Sequence, residues 1–221
     1  MAYRTSMASR VGLVVTLLLV TAFHATATAA RQPPTGTAMF VVRHDPRSCP
    51  GPMCGGYWVA LANAARTRCQ DALRHPRCYA AIAVDVRGRP VGDVPEDALV
   101  RGAIDIGRDD LGELVVMGIY APAGGVKISG GYYRVRDTGI RCVRAPCFSY
   151  RATQVNGSTG TRVSGVHVAA ARATATQLAR ARAALRTNDG LYARGGFSTG
   201  LDGGRVFHAT RLYLRARLPR A

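Results

Sequence analysis

Residues 132–156 read YYRVRDTGIRCVRAPCFSYRATQVN, and residues 39–63 read MFVVRHDPRSCPGPMCGGYWVALAN. At a constant shift of 93 they match Val42 with Val135, Arg43 with Arg136, Cys49 with Cys142, Cys54 with Cys147, Tyr57 with Tyr150 and Asn63 with Asn156. Two cysteines recurring in register predict a duplicated unit of about 90 residues, a pair of related domains or one pseudo-symmetric domain rather than a solenoid. The shift returns where Val100-Arg101-Gly102 falls on Ala193-Arg194-Gly195. Between these blocks the first copy carries an extra loop bounded by Cys69 and Cys78, and the second a longer helical stretch.

Outward from these blocks, each copy is expected to be mostly strand. Stretches 39–43, 57–62, 79–86, 98–106 and 114–121 are rich in β-branched and aromatic residues and bounded by Gly, Pro and Asp. Their counterparts are 132–136, 150–155, 165–171, 191–197 and 206–215. Alternation puts Tyr57 and Trp58 on opposite faces of one strand, one in the core and one as a surface contact. One helix is predicted over 175–186, with Thr174 and Gln177 spaced as a capping box, Leu178, Ala181 and Leu185 on one face, and Gly190 as the stop. The expected class is α+β: two tandem homologous β-rich repeats of about five strands each, with a helix in the second. The boundaries are a short linker at 31–38, repeat 1 at 39–121, a Gly-rich connector at 122–131 and repeat 2 at 132–221.

Arg4 and Arg10 precede an apolar run over 11–20 and small residues ending at Ala29 and Ala30. Those are the charged, apolar and cleavable zones of a signal peptide over 1–30. The run is half of the roughly 20 residues a bilayer span needs, and no later stretch reaches 18 consecutive apolar residues, so no transmembrane segment is expected after its removal. The predicted location is secreted or periplasmic.

Six cysteines in an exported chain are first a disulfide framework. The matched blocks pair Cys49 with Cys54 and Cys142 with Cys147, leaving Cys69 with Cys78. Two Cys-X4-Cys pairs as a zinc site is the rival; export and the lack of histidine at ligand spacing disfavour it, so no metal is expected.

The segments 43–49 and 53–57, and again 133–142 with 145–148, together with Leu212-Tyr213-Leu214-Arg215 near the end, resemble an exported bacterial family of the kind found in myxobacteria, grouped only as a domain of unknown function. The likeness spans nearly all of the exported chain. It implies a secreted, disulfide-bearing protein and carries over no catalytic residues.

Motifs for chemistry are sparse. The chain has no Gly-X-Ser-X-Gly elbow, no His-Glu-X-X-His and no Walker loop, and His44, His75, His167 and His208 each stand alone in sequence. Asp109, Asp110 and Glu113 form the densest acidic group, but Gly107 and Gly112 bracket it as a hairpin turn. Asn156-Gly157 reads as a turn pair. No cofactor and no catalytic residue is expected.

Charge is the one functional pointer. Thirty basic residues against thirteen acidic give +17, and Lys127 is the only lysine. Residues 31–130 carry twelve basic and ten acidic groups, whereas 131–221 carry sixteen and three. High-GC codon usage explains Arg in place of Lys, but not the loss of acidic residues from one copy. The guanidinium fork grips phosphate, sulfate or carboxylate at two points. The candidate anion-binding residues are Arg180, Arg182 and Arg186 on the helix and Arg205, Arg211 and Arg215 on the last strand. The partner they suit is an anionic envelope polymer or extracellular nucleic acid. The expected function is therefore a non-enzymatic interaction or envelope-associated protein. The alternatives are an enzyme using some of His44, His208, Asp45 and Asp110 between the copies, and a protease inhibitor presenting the loops 50–53 or 143–146.

Overall fold

Valine, phenylalanine and tyrosine at alternate positions favour a pleated, half-buried backbone, and such runs supply most of the strands. The computed structural model describes residues 36–48, 53–107, 111–125 and 128–219. The expected signal peptide, most of the linker, Cys49, the loop 50–52, Asp109, Asp110 and Lys127 lie outside the described residues. The strands are β1 (Ala38–His44), β2 (Tyr57–Leu61), β3 (Thr67–Arg68), β4 (Arg74–His75), β5 (Cys78–Ala80), β6 (Ile82–Asp85), β7 (Ala98–Ile106) and β8 (Gly112–Ala123). They continue with β9 (Gly131–Asp137), β10 (Tyr150–Gln154), β11 (Gly160–Val163), β12 (Gly165–His167), β13 (Leu191–Thr199) and β14 (Arg205–Ala216). The helix α1 spans Ala175–Leu185, and the Thr174 side chain and Gln177 cap each other's backbone N–H as the sequence predicts.

Twelve strands join in one sheet whose main path runs β11-β10-β9-β13-β14-β8-β7-β1-β2-β5, with β12 parallel to β14 and β6 parallel to β8. This corrects the α+β expectation of two tandem β-rich repeats of about five strands each. The class is mostly β, with one α-helix of eleven residues among the described residues. Nor do the halves form separate sheets: β14 pairs antiparallel with β8 from Leu212↔Ala123 to Ala216↔Ile119. The physical reason is edge satisfaction, since two separate sheets would each leave a row of unpaired N–H and C=O groups along β8 and β14. The described residues fall in one compact unit, Arg31–Ala221.

Within the single sheet, pairings recur 93 residues apart. Met39 faces Arg101 across β1–β7, and Tyr132 faces Arg194 across β9–β13. The register shifts at Arg101/Gly102 in β7 and at Arg194/Gly195 in β13. Glycine is required at both bulges, because a Cβ at Gly102 would lie 2.1 Å from the Val115 carbonyl oxygen and one at Gly195 2.1 Å from that of His208.

Three apolar clusters hold the sheet. Val135, Ala152, Leu191 and Phe207 pack beneath Ala181 and Leu185 of α1. Val42, Val59, Val100 and Leu114 form a second cluster in the N-terminal half. The third joins the halves through Met39, Ala62, Leu99, Tyr120, Val155, Tyr192 and Tyr213. Burial pushes the Tyr213 phenol well above its ordinary pKa, so it stays neutral in this core.

Two polar clasps seal that junction. The Asn63 amide donates to the Tyr132 carbonyl at 2.7 Å and the Val155 carbonyl at 3.0 Å, and its oxygen accepts from the Tyr132 N–H at 2.8 Å. Asn156 does the reciprocal: it donates to the carbonyls of Met39 at 2.7 Å and Ala62 at 3.0 Å and accepts from the Met39 N–H at 2.8 Å.

Cys69–Cys78 and Cys142–Cys147 are disulfide-bonded, and Cys54 is also in a disulfide. Cys69–Cys78 spans nine positions and ties the β3–β4 hairpin to β5, with both cysteines buried. Closing so short a loop stabilises by about 2–3 kcal/mol in the chain-entropy treatment. A Cys69→Ser/Cys78→Ser double variant should lose about that much in urea unfolding; an unchanged midpoint would show that the bond braces nothing.

Candidate anion-binding face

The sheet segment β9–β10–β11 has two chemically distinct faces, because alternation sends successive side chains to opposite sides. Val135, Ala152 and Val163 point into the core beneath α1, all at 0% exposure. The other face carries Arg134 and Arg136 from β9, Arg151 from β10 and Arg162 from β11. Arg136 stands directly opposite Arg151, and Arg151 directly opposite Arg162. Three exposed arginines thus form an unbroken row across three strands.

Directly opposed side chains in antiparallel strands have Cβ atoms about 4.5–5.5 Å apart, and like charges there are destabilising. Nothing nearby neutralises the row: none of Arg134, Arg136, Arg151 or Arg162 has a carboxylate within salt-bridge distance among the described residues. Gly160 makes room for it, since a Cβ there would sit 2.6 Å from the Arg151 Nε. At the positions 93 residues earlier the N-terminal half presents Val41, Arg43 and Trp58, and Arg43 is ion-paired with Asp97 at 2.7 Å. Part of the basic excess of the C-terminal half therefore lies on one sheet face.

The arginines expected from sequence are placed differently. Arg182 and Arg186, one helical turn apart, are exposed, have no carboxylate within salt-bridge distance among the described residues, and line a cavity of about 350 Å³ with His167, Tyr150 and Asp137, whose carboxyl Arg186 helps to keep ionised. Arg180 donates to the Arg215 carbonyl at 2.9 Å. Arg205 lies over the Phe197 ring at 5.9 Å. Arg211 is paired with Asp97 at 3.2 Å and only 16% exposed, and Arg215 is paired with Asp189 at 2.8 Å. The six do not form one patch: two are neutralised, and two face a cavity beside α1. Sequence reasoning followed the helix and the last strand and missed Arg134, Arg136, Arg151 and Arg162. The signal was present, because Arg134-Val135-Arg136 alternates around a core valine and Arg136 and Arg151 occupy matched positions on adjacent expected strands.

The acidic groups of the C-terminal half are engaged elsewhere. The Arg141 side chain beside Asp137 holds that carboxyl below its ordinary range, helped by the Gly139 N–H. In the N-terminal half the Arg47 fork grips the buried Asp45 carboxylate at 2.8–3.0 Å and depresses its pKa. Arg89 does the same to Asp85.

Asp110 lies outside the described residues, and His44, Asp45 and His208 share no hydrogen bond with one another among the described residues. The His44 ring is bound to the Val94 carbonyl at 2.7 Å. His208 is bound to the Ser198 hydroxyl at 2.7 Å, with the His167 ring 4.7 Å away. No carboxylate is hydrogen-bonded to the His44 or His208 ring among the described residues. Cys69, Asp71 and His75 present ligand atoms within 4.8 Å of one another, but the Cys69 sulfur is held in its disulfide and offers no thiolate. Among the described residues no helix is long and apolar enough to cross a membrane.

The fold and face define a mostly-β, disulfide-stabilised domain with a cationic sheet surface. The chain belongs to a family known as a domain of unknown function, DUF6748, whose model matches residues 38–218 and so covers every strand. No curated protein and no solved structure matches it.

Proposed function

We propose that this is an exported bacterial binding protein, without catalytic activity, whose C-terminal half holds an anionic polymer of the cell envelope or of extracellular nucleic acid. The observation that supports it most is the Arg136–Arg151–Arg162 row, three like charges kept opposite one another at a cost to the sheet. A row across three strands spans about 10 Å, enough to meet successive charges on a polymer backbone. Disulfides suit the oxidising periplasmic or extracellular setting in which such a polymer would be met.

Titration with heparin and with a short duplex DNA across about 0.05–0.2 M salt tests the reading. With Arg134, Arg136, Arg151 and Arg162 engaged, log K on duplex DNA should fall against log salt with a slope of about −3 to −4. Tight heparin binding with weak DNA binding selects the envelope polymer, and the reverse selects nucleic acid. Binding to neither, or a salt-independent affinity, removes the proposal.

A second reading rests on the Cys142–Cys147 loop. Residues 138–146 are exposed and Val143 stands fully in solvent, as a disulfide-braced loop offered to a protease cleft would. It requires stoichiometric inhibition of a protease by the intact chain.

A further inference from the structure

The cationic face does not account for a cavity of about 400 Å³ where β1 and β2 meet the start of β9. Its walls are Val41, Ala60, Leu61 and the Tyr132 ring, with Trp58 beside them. Trp58 is the chain's only tryptophan, half-buried, on the strand face opposite the buried Tyr57. The volume lies in the range of small-molecule sites, which combine apolar walls with a few placed polar groups.

The polar side chains here are the Asn63 amide, spent on its backbone clasp, and three guanidiniums. Arg43 is neutralised by Asp97, but Arg77 and Arg194 have no carboxylate within salt-bridge distance among the described residues. Both are held in place. The Arg77 guanidinium lies 4.5 Å over the Trp58 ring. That of Arg194 lies 5.1 Å over Tyr132, and its Nε donates to the Gly130 carbonyl at 2.9 Å. The cation–π contacts hold both guanidiniums beside the rings while leaving terminal N–H groups to grip an anion. The Asn63 amide ties the Tyr132 backbone to the end of β2, so the two walls are fixed with respect to each other.

We propose that this cavity is a binding site for a small organic anion with an apolar body, its carboxylate, sulfonate or phosphate on Arg77 and Arg194 and its body against Val41, Ala60, Leu61 and Tyr132. Uncompensated cations at the rim select for a negative head. The apolar walls disfavour a bare inorganic ion, which would gain nothing from them. The site differs from the polymer-binding face in the residues that carry it, so each can fail alone.

The probe is 8-anilinonaphthalene-1-sulfonate, compared with N-phenyl-1-naphthylamine, which has the same rings without the sulfonate. The expected result is one sulfonate probe per chain, with quenching of Trp58, and at least about tenfold weaker binding of the neutral probe, the size of one lost charge-assisted contact. Arg77→Gln and Arg194→Gln should each weaken the sulfonate probe by a similar factor. Ala60→Phe should abolish binding by filling the cavity without changing charge. Arg217→Gln, at an exposed arginine in neither site, should leave it unchanged. Thermal melts of each variant confirm folding. Equal affinity for the two probes, no binding of the sulfonate, or binding indifferent to Arg77→Gln, Arg194→Gln and Ala60→Phe overturns the proposal.

Discussion

Arg151→Glu will make the protein more stable and a poorer polyanion binder at the same time. In the folded sheet Arg151 stands between Arg136 and Arg162, so the change replaces two like-charge contacts with two opposite-charge ones. Cross-strand charge pairs are worth roughly 0.2–1 kcal/mol each, and exposure to solvent places these at the low end, so a gain of about 0.5–1 kcal/mol is expected. Binding moves the other way. Reversing one charge at the centre of the row removes that contact and cancels about one more, a loss of about two counterion-releasing contacts. With each contributing a salt exponent of about 0.9, affinity for duplex DNA at 0.1 M salt should fall roughly 60-fold and converge on the parent near 1 M.

The opposition of the two effects is what makes the variant informative. Were the arginines only a mark of codon usage, Arg151→Glu would raise stability and leave binding unaltered. A fall in stability would mean that the guanidinium is held by contacts outweighing repulsion from its neighbours, and would remove the argument that the row is kept at a cost. The comparison needs a urea melt and a heparin titration on the same preparation.

How much of this was legible in sequence depends on the range of the interaction. The helix was readable to within a residue because its signals are local: Thr174 and Gln177 lie three apart, and Leu178, Ala181 and Leu185 follow one stripe. The long strands were readable for the same reason, since alternation is a two-residue property. The short strands β3, β4 and β11, with two to four residues each, carry too few positions for a pattern. The class failed on a long-range fact. That β14 lies beside β8 depends on which edges remain unpaired once each half has folded, and no periodicity encodes it. The arginine row was hidden for a similar reason. A helix displays its arginines in the linear sequence, whereas the Arg136–Arg151–Arg162 row exists only once three strands are in register. Cys142–Cys147 was legible from the matched blocks, and Cys69–Cys78 from the two cysteines those blocks leave over.

Asn156 shows the same division inside one residue. As Asn-Gly it reads as a turn, and its φ of +59° is the left-handed conformation that asparagine tolerates. Its side chain, however, reaches Met39 and Ala62, 117 and 94 positions away. Asn63, with φ of +62°, reaches Tyr132 and Val155 in the same manner. The turn was visible locally and the clasp was not.

Asn156→Ala should therefore cost about 2–4 kcal/mol in urea unfolding, and Asn63→Ala a similar amount. Two contributions add. Three hydrogen bonds are lost at about 0.5–1.5 kcal/mol each, the exposed ones partly recovered by water. An alanine in left-handed backbone costs about 1–2 kcal/mol more. Substitution by glycine separates them, because it accepts the positive φ and forfeits only the bonds, so Asn156→Gly should be milder than Asn156→Ala. Asn156→Asp discriminates further. It keeps the acceptor facing the Met39 N–H but points a carboxylate oxygen, in place of an N–H donor, at the carbonyls of Met39 and Ala62. It should be at least as damaging as alanine despite its nearly identical shape, and the damage should ease as the pH falls and the carboxyl protonates. Because both clasps close one junction over the same apolar cluster, opening either exposes part of what the other protects. The double Asn63→Ala/Asn156→Ala variant should then lose less than the sum of the singles, with a coupling of about 0.5 kcal/mol or more. Strict additivity would mean that each asparagine serves only its own turn, and a cost below about 1 kcal/mol for either alanine variant would mean that the reciprocal bonds do not hold the halves together.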